Sequence, residues 1–288
     1  GASRWWLDKS LAALAARIDA AGGQLTLRAG ASADVLPALI AETGADSVFW
    51  NRRYQKAERD LDGALMEMLK AGGIAVSSFN GRLLNEPWQI ETGAGGDYKV
   101  FTPYWKAVKA RYRAPDALPA PTSLAGPELA SDTLSDWNLH PTRPDWADGL
   151  GATWTPGEAG AMERLSDFLD GPVNAYAEAR NRPDIDAGTS RLSPHLRFGE
   201  IGPAHVWRAV RHGVESGRVD EAGAMTFLSE IGWREFSYSL LFHNPDLASE
   251  NYNPDFRHMP WRSDRVAYRA WCRGETGYPI VDAGMRQL

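Results

Sequence analysis

Apolar residues in the stretch 225–245 recur with the period of an α-helix, and the polar residues fall into a second stripe of the same period. Leu228, Ile231, Phe236 and Leu240 supply apolar packing, whereas Glu230, Trp233, Arg234 and Ser237 stand at i, i+3, i+4 and i+7 on another face. One side of this helix is therefore expected to be buried while the other presents a carboxylate, an indole and a guanidinium. Two readings of the polar face stay open at this point. It is either a surface carrying a Glu230–Arg234 ion pair worth about 0.2–0.5 kcal/mol, or the lining of a pocket.

Applied from the start of the chain, the same patterning predicts a helix over 3–21 stopped by Gly22-Gly23, then a short alternating strand over 24–28. A helix over 33–43, a strand over 47–50, a helix over 56–71 and a strand over 74–79 follow. Helices alternating with short strands indicate βαβ units and a parallel sheet. Ligands of such sheets sit at the carboxyl ends of the strands, which makes Asn51, Arg52 and Arg53 candidates. No glycine-rich phosphate fingerprint follows any of these strands, which argues against a dinucleotide site in this half. A further helix starts around Phe101, with Thr102 as its N-cap and Pro103 at the first position. Residues 1–113 are thus read as an α/β domain.

Between 114 and 157 Pro, Gly, Ser and Asp accumulate without a period, as in an interdomain linker. Residues 158–288 read as mainly helical, with segments at 159–169, 173–181, 203–215, 222–242, 265–273 and 280–288. The last segment carries no stop signal, the chain opens directly on a helix, and three strands fall short of the roughly five or six of a typical sheet. The sequence is therefore expected to be truncated at both ends.

Composition narrows the class. The chain has 288 residues, 43% hydrophobic, enough for two domains with real cores. A single cysteine, Cys272, excludes a disulfide framework and a cysteine-based metal cluster, and a reducing, intracellular setting fits best. With no run of 18 apolar residues and no leader pattern, neither a membrane span nor a signal peptide is expected. The net charge of −6 argues against a protein that coats nucleic acid by bulk charge. Locally the balance differs, because residues 256–273 hold five arginines against Asp264 alone, interleaved with Trp261, Tyr268 and Trp271. Such a stretch suits a localised nucleic-acid surface or an ordinary solvated basic face.

Two further groups carry candidate chemistry. Tyr176 and Arg180 stand one turn apart on a helix that Pro183 terminates. Thr189, Ser190, Arg191, Leu192 and Ser193 then precede Pro194, so three hydroxyls meet a helix start. Free N–H groups and hydroxyls at such a place suit a pyrophosphate, although a plain serine cap with a polar loop reads the same.

The blocks Thr-Ser-Arg-Leu-Ser-Pro at 189–194, Phe-Gly-Glu-Ile at 198–201, Trp-Arg-Glu-Phe at 233–236 and Thr-Gly-Tyr-Pro-Ile-Val-Asp-Ala-Gly-Met-Arg-Gln-Leu at 276–288 resemble the DNA photolyase/cryptochrome family in order and spacing. The resemblance spans nearly the whole chain, including 101–106. It implies an α/β N-terminal domain with a parallel, Rossmann-like sheet of the antenna type, followed by an all-helical FAD-binding domain, both incomplete here. It further implies FAD held by Tyr176, Thr189, Ser190, Arg191, Leu192 and Ser193, with Phe227 where some members carry a Trp, and with Glu230 and Arg234 also facing the flavin site. By the same resemblance Glu230 and Trp233 are the catalytic contacts to a flipped pyrimidine dimer, and Arg180 joins them as a DNA contact.

The implied activity is light-driven repair of cyclobutane pyrimidine dimers by electron transfer from excited reduced FAD, in a monomeric, cytoplasmic protein whose partner is damaged DNA. The alternatives are a cryptochrome-type photoreceptor without repair activity and an inactive fragment lacking flavin. Retention of Glu230 and Trp233 together favours repair. Residues 50–54 lie where relatives hold an antenna chromophore, a folate or a deazaflavin, with folate preferred. Because the residues present supply about half of a flavin pocket, the chain alone is expected to bind FAD weakly or not at all.

Overall fold

Within the unit Gly1–Pro245 one long helix, Glu221–His243, is packed on by the helices Phe101–Arg111, Tyr176–Ala179 and Pro203–Glu215. The computed structural model describes residues 1–287; Leu288, on which the last expected helix and the 276–288 block end, lies outside the described residues. Contacts divide the chain into two units, Gly1–Pro245 and Asp246–Leu288.

The first unit opens with α1 (Ala2–Ala20) and α2 (Ser32–Thr43), followed by β1 (Ser47–Asn51), α3 (Lys56–Ala71) and β2 (Ala75–Phe79). β1 and β2 pair in parallel, in a register running from Ser47 opposite Ala75 to Asn51 opposite Phe79. They are the βαβ unit that the patterning implies. The strand expected over 24–28 is not a strand. Its polar groups are satisfied by the loop that reaches back from 124–132: the Leu27 amide donates to Ser131 Oγ at 2.8 Å, the Asp132 amide to the Leu27 carbonyl at 2.8 Å, and the Ala29 amide to the Asp132 carboxylate at 2.7 Å. Extended backbone needs partners, and here side chains and a loop supply them in place of a ladder.

After β2 come α4 (Phe101–Arg111), α5 (Asp148–Thr153), α6 (Glu158–Leu169), the one-turn α7 (Tyr176–Ala179), α8 (Ser193–Phe198), α9 (Pro203–Glu215) and α10 (Glu221–His243). Pro103 lies inside the first turn of α4, where its missing N–H costs nothing; the N-cap is Val100, two residues earlier than expected. α10 starts where Asp220 accepts hydrogen bonds from the Ala222 and Gly223 amides.

Ala224, Phe227, Leu228, Ile231, Glu235, Phe236 and Ser239 form the buried stripe of α10, at the spacing that sets one helical face inward. That stripe packs on α4, α7 and α9, and its apolar members join Val108, Val206 and Val210 in the main core. Gly232 is where α4 comes closest. A Cβ there would lie 2.6 Å from the Trp105 ring. A separate small core joins Trp5, Trp6 and Ala147, with Trp154 and Phe198 against it.

The second unit contains α11 (Arg265–Arg273) and α12 (Pro279–Gln287), packed on each other. The turn between them explains much of the long 276–288 block. Gly274 and Gly277 adopt positive φ values of 65° and 83°, and the Asp282 carboxylate accepts from the Thr276 amide at 2.7 Å, the Thr276 hydroxyl at 2.6 Å and the Gly277 amide at 3.0 Å. These bonds hold the Asp282 carboxyl below its ordinary pKa against the opposing effect of desolvation, with the Thr276 hydroxyl the largest contributor.

Filling the gap at Gly232 tests the α4–α10 packing. Gly232→Ala is expected to lower unfolding stability by about 1–3 kcal/mol, measured by denaturant titration, and an unchanged midpoint would contradict so close an approach.

Candidate functional site

The polar face of α10 lies within the first unit and is assembled from three sequence-distant segments. Glu230 forms an ion pair with Arg180, which follows α7, and both side chains remain partly exposed. Of the two readings of this face, the surface Glu230–Arg234 pair is therefore not the one the structure shows. Arg234 turns the other way: its Nη1 donates to the Arg82 carbonyl at 2.6 Å and its guanidinium lies over the Tyr238 ring at 5.0 Å. The i to i+4 neighbour loses to a partner 50 positions away because α7 packs directly on α10.

Trp233 keeps an open surface. Its indole stacks on Phe101 with ring centroids 3.7 Å apart and planes 11° from parallel, yet 46% of the residue remains exposed. A flat ring covered on one side and open elsewhere is a platform for another flat group.

The other candidates divide into a core set and a cleft set. Tyr176 and Phe227 are buried, each edge-on or tilted to Phe168 and to one another at centroid distances of 4.7–5.5 Å. The Arg180 guanidinium lies 5.6 Å from the Tyr176 ring centroid, so this aromatic cluster backs the Glu230–Arg180 pair. Leu192 is buried in the same core, and Ser193 is exposed at the start of α8 without a side-chain capping bond. Thr189, Ser190 and Arg191 line a cleft of about 260 Å³ together with Phe168 and Arg164. Arg191 adopts φ 52°, a left-handed conformation uncommon for a residue with a side chain, and its guanidinium donates to the Asp186 carbonyl at 3.1 Å.

Two hydroxyls and two guanidinium groups are donors of the kind that hold phosphate oxygens, and Asp167 and Asp186 on the rim can accept from sugar hydroxyls. The donor set therefore fits the phosphate and ribityl portion of FAD. The volume falls below the roughly 300–1,000 Å³ of a complete ligand pocket, so the cleft suits a portion of the cofactor.

Glu235 is the residue whose importance the sequence patterning passes over. It is 1% exposed, on the inward stripe of α10, and its Oε2 accepts from the Leu84 amide at 2.7 Å and the Asn85 amide at 3.3 Å. Burial pushes its carboxyl up to about 8, against the Arg234 guanidinium 3.6 Å away and the two amides. Next to it in space, Glu86 pairs with Arg52 and accepts from the Tyr54 hydroxyl at 3.0 Å. The signal that could have revealed Glu235 was its place among apolar residues at helical spacing, where an acid needs a partner.

At the carboxyl ends of the strands, Trp50, Arg52, Arg53, Arg59, Trp88 and Phe242 line a second cavity of about 220 Å³. Arg53 is paired with Asp62 at 2.5 Å and Arg52 is held by Glu86 and the Ser78 carbonyl, while Asn51 is exposed. In the second unit Phe256, Trp261, Tyr268 and Trp271 are exposed beside the arginines of that basic stretch. Among the described residues no group of three or more His, Cys, Asp or Glu could hold a metal ion, and no helix is long and apolar enough to cross a membrane.

The family model described as DNA photolyase matches residues 1–122, and the one described as the FAD binding domain of DNA photolyase matches residues 227–288. The chain belongs to the DNA photolyase/cryptochrome family. A deoxyribodipyrimidine photo-lyase of Agrobacterium fabrum is 48% identical over 290 residues, covering 100% of this chain and 60% of that protein. Cryptochrome-1 of Arabidopsis thaliana is 33% identical over 294 residues, covering 99% of this chain and 43% of that one. A crystal structure of a bacterial class III photolyase from Agrobacterium tumefaciens superposes with a TM-score of 0.95 at 48% identity, covering 100% of this chain and 59% of that one. The fold is thus the α/β and helical pair of the family, and the chain spans about 60% of the length of its Agrobacterium relatives. Phe227, Glu230, Trp233 and Arg234 fall inside the segment matched by the flavin-domain model, whereas Tyr176, Arg180 and residues 189–193 lie between the two matched segments.

The Glu235 environment gives a pH signature. Between its ordinary value of 4.5 and about 8 the folded state retains a proton that the unfolded state has lost, so this group makes stability fall as pH rises through that window. Glu235→Gln is expected to flatten the fall, its melting temperature gaining on that of the unsubstituted protein steadily from acid to mildly alkaline pH. Parallel melting curves across that range would remove the assignment.

Proposed function

We propose that the protein to which this chain belongs repairs cyclobutane pyrimidine dimers in DNA with light, using FAD. One observation carries the reading: an exposed indole stacked on a second ring, Trp233 on Phe101, stands on the same helix face as the Glu230–Arg180 pair. A dimer inside a duplex has to be extruded before any buried group can reach it, and a distorted lesion costs less to extrude than a normal step. Trp233 then receives the apolar flank of the damaged bases, with Phe101 behind it to hold the indole plane. Arg180 exchanges Glu230 for a DNA phosphate, and the released Glu230 carboxyl meets the polar edge of the dimer.

Reduced FAD, when bound, supplies the light-driven electron transfer. Thr189, Ser190 and Arg191 would hold its phosphate and ribityl portion, with Tyr176, Leu192, Ser193, Phe227, Glu230 and Arg234 forming the surrounding site. In this reading residues 1–113 are the antenna-type domain, 114–157 the linker, and 158–288 the FAD- and DNA-binding part. The cavity at the strand ends, beside Trp50, Arg52 and Arg53, is the place for an antenna chromophore, a folate in preference to a deazaflavin. The protein acts as a cytoplasmic monomer on damaged DNA. A signalling photoreceptor is the second reading, supported by the 33% identity to a cryptochrome; Glu230 and Trp233 together favour repair, because a photoreceptor has no dimer to contact.

The test uses the full-length protein carrying reduced FAD, a dimer-containing duplex and blue light. Dimers are expected to disappear with illumination, and Trp233→Ala is expected to weaken binding of the damaged duplex by about 5- to 150-fold, the equivalent of about 1–3 kcal/mol of stacking, with undamaged DNA little affected. Persistence of the dimers despite bound, reduced FAD would sink the repair reading.

A further inference from the structure

A third cleft, away from the polar face of α10, is left without a role by the reading above. It lies between the end of α4 and the exposed side of α9, with a volume of about 620 Å³, inside the range of small-molecule sites. Lys109 and Arg113 come from the α4 side, Arg208 and Arg211 from α9, and the one acid in the lining is Glu215.

Most of this basic charge is not neutralised. Arg113 donates to the Ala110 and Tyr112 carbonyls and Arg208 to the Pro115 carbonyl, which orients the guanidinium groups and leaves their charge in place. Arg211 meets Glu215 at 3.7 Å, a loose pair on an exposed helix surface. In a chain of net charge −6, four basic side chains around one cleft against a single acid make a local positive field.

The cleft also has an aromatic floor. Trp207 is half-buried and meets Tyr112 edge-on at 5.1 Å and Trp105 at 5.9 Å. Tyr112 is 7% exposed, and its hydroxyl has no hydrogen-bond partner. Burial pushes that hydroxyl up to about 12, with Glu235 adding to the effect and Arg208 opposing it. A purely solvated basic face would account for the arginines, but not for the aromatic floor that Trp207 and Tyr112 place among them.

We propose that the α4–α9 cleft is a binding site for a nucleoside polyphosphate, its phosphates held by Lys109, Arg113, Arg208 and Arg211 and its base packed on Trp207. Guanidinium forks match phosphate oxygens in pairs, and an indole edge in a half-buried floor accepts a planar base without selecting its sequence of donors and acceptors. The site is separate from the Thr189–Arg191 cleft assigned to flavin and does not depend on that assignment.

Fluorescence titration of the purified protein with a methylanthraniloyl derivative of ADP tests the proposal. Saturable one-to-one binding tighter than about 1 mM is expected, displaced by ADP and more weakly by inorganic pyrophosphate. Arg208→Gln combined with Arg211→Gln should weaken it at least tenfold; Arg211→Gln alone, at an exposed position whose ion-pair partner is Glu215, should weaken it severalfold and guards against misfolding of the double variant. The charge-matched Lys56→Gln/Lys70→Gln protein and the Thr189→Ala/Arg191→Gln protein should bind as before. The proposal is overturned by absence of saturation, by equal loss in the Lys56/Lys70 control, by loss confined to the Thr189/Arg191 variant, which would assign the nucleotide to the flavin cleft, or by displacement with undamaged duplex DNA and not with ADP.

Discussion

The Glu235 carboxyl, buried on the inward stripe of α10, accepts the Leu84 and Asn85 amides and so fastens the chain that leaves β2 onto the central helix. Several placements follow from that attachment. Two residues upstream of Leu84, the Arg82 carbonyl comes within reach of Arg234, which draws that guanidinium away from Glu230. One residue downstream of Asn85, Glu86 meets Arg52 and Tyr54, so the end of β1 is tied to the same turn. Tyr54 in turn meets Tyr238 of α10 edge-on at 5.8 Å. A carboxyl in such surroundings is expensive to ionise, and the two backbone donors and the Arg234 guanidinium 3.6 Å away oppose the effect of burial, which pushes it toward the protonated form.

The opposite flank of α10 depends on an absence of side chain. Gly232 lets the Trp105 ring approach the helix backbone, and Phe101, one turn earlier on α4, is thereby brought under Trp233. Phe236 closes the group from the side, tilted or edge-on to Phe101, Tyr104 and Trp233. The orientation of the exposed indole is therefore set by core packing, and a rigid support of this kind is what a binding platform requires.

Helices with a clear apolar period were legible in the sequence, α10 nearly to the residue, because the period of 3.6 is a local property. Leu228, Ile231 and Phe236 lie in the core as that period implies. What sequence reading misses is long-range. The partner of Glu230 is decided by the packing of α7 on α10, and residues 24–28 alternate like a strand yet receive loop and side-chain partners because no ladder neighbour lies beside them among the described residues. The ring contacts of Phe227 and Tyr176 with Phe168, which lines the Thr189–Arg191 cleft, are likewise tertiary and carry no local sequence signal. Glu235 escaped notice because, beside Arg234 in sequence, an acid reads as a surface charge; only the tertiary contact with residues 84 and 85 gives it a reason to be inside.

The arginines of this acidic chain fall into three electrostatic classes, and the classes differ in what they can bind. Arg52 faces a buried Glu86, and separating that pair would leave a carboxylate uncompensated in the interior, at a cost of about 3–5 kcal/mol. Such an arginine is structural. Arg180 faces Glu230 across a pair that is partly open to water on both sides, where ion pairs contribute about 0–1 kcal/mol. A phosphate can replace that carboxylate at little loss, and the exchange frees Glu230 on the face that Trp233 shares. Arg208 has a carbonyl for a partner and Arg211 a loosely placed, exposed acid, so each retains most of its field. Net charge does not distinguish these arginines, whereas the burial of the opposing acid decides which are committed and which remain available.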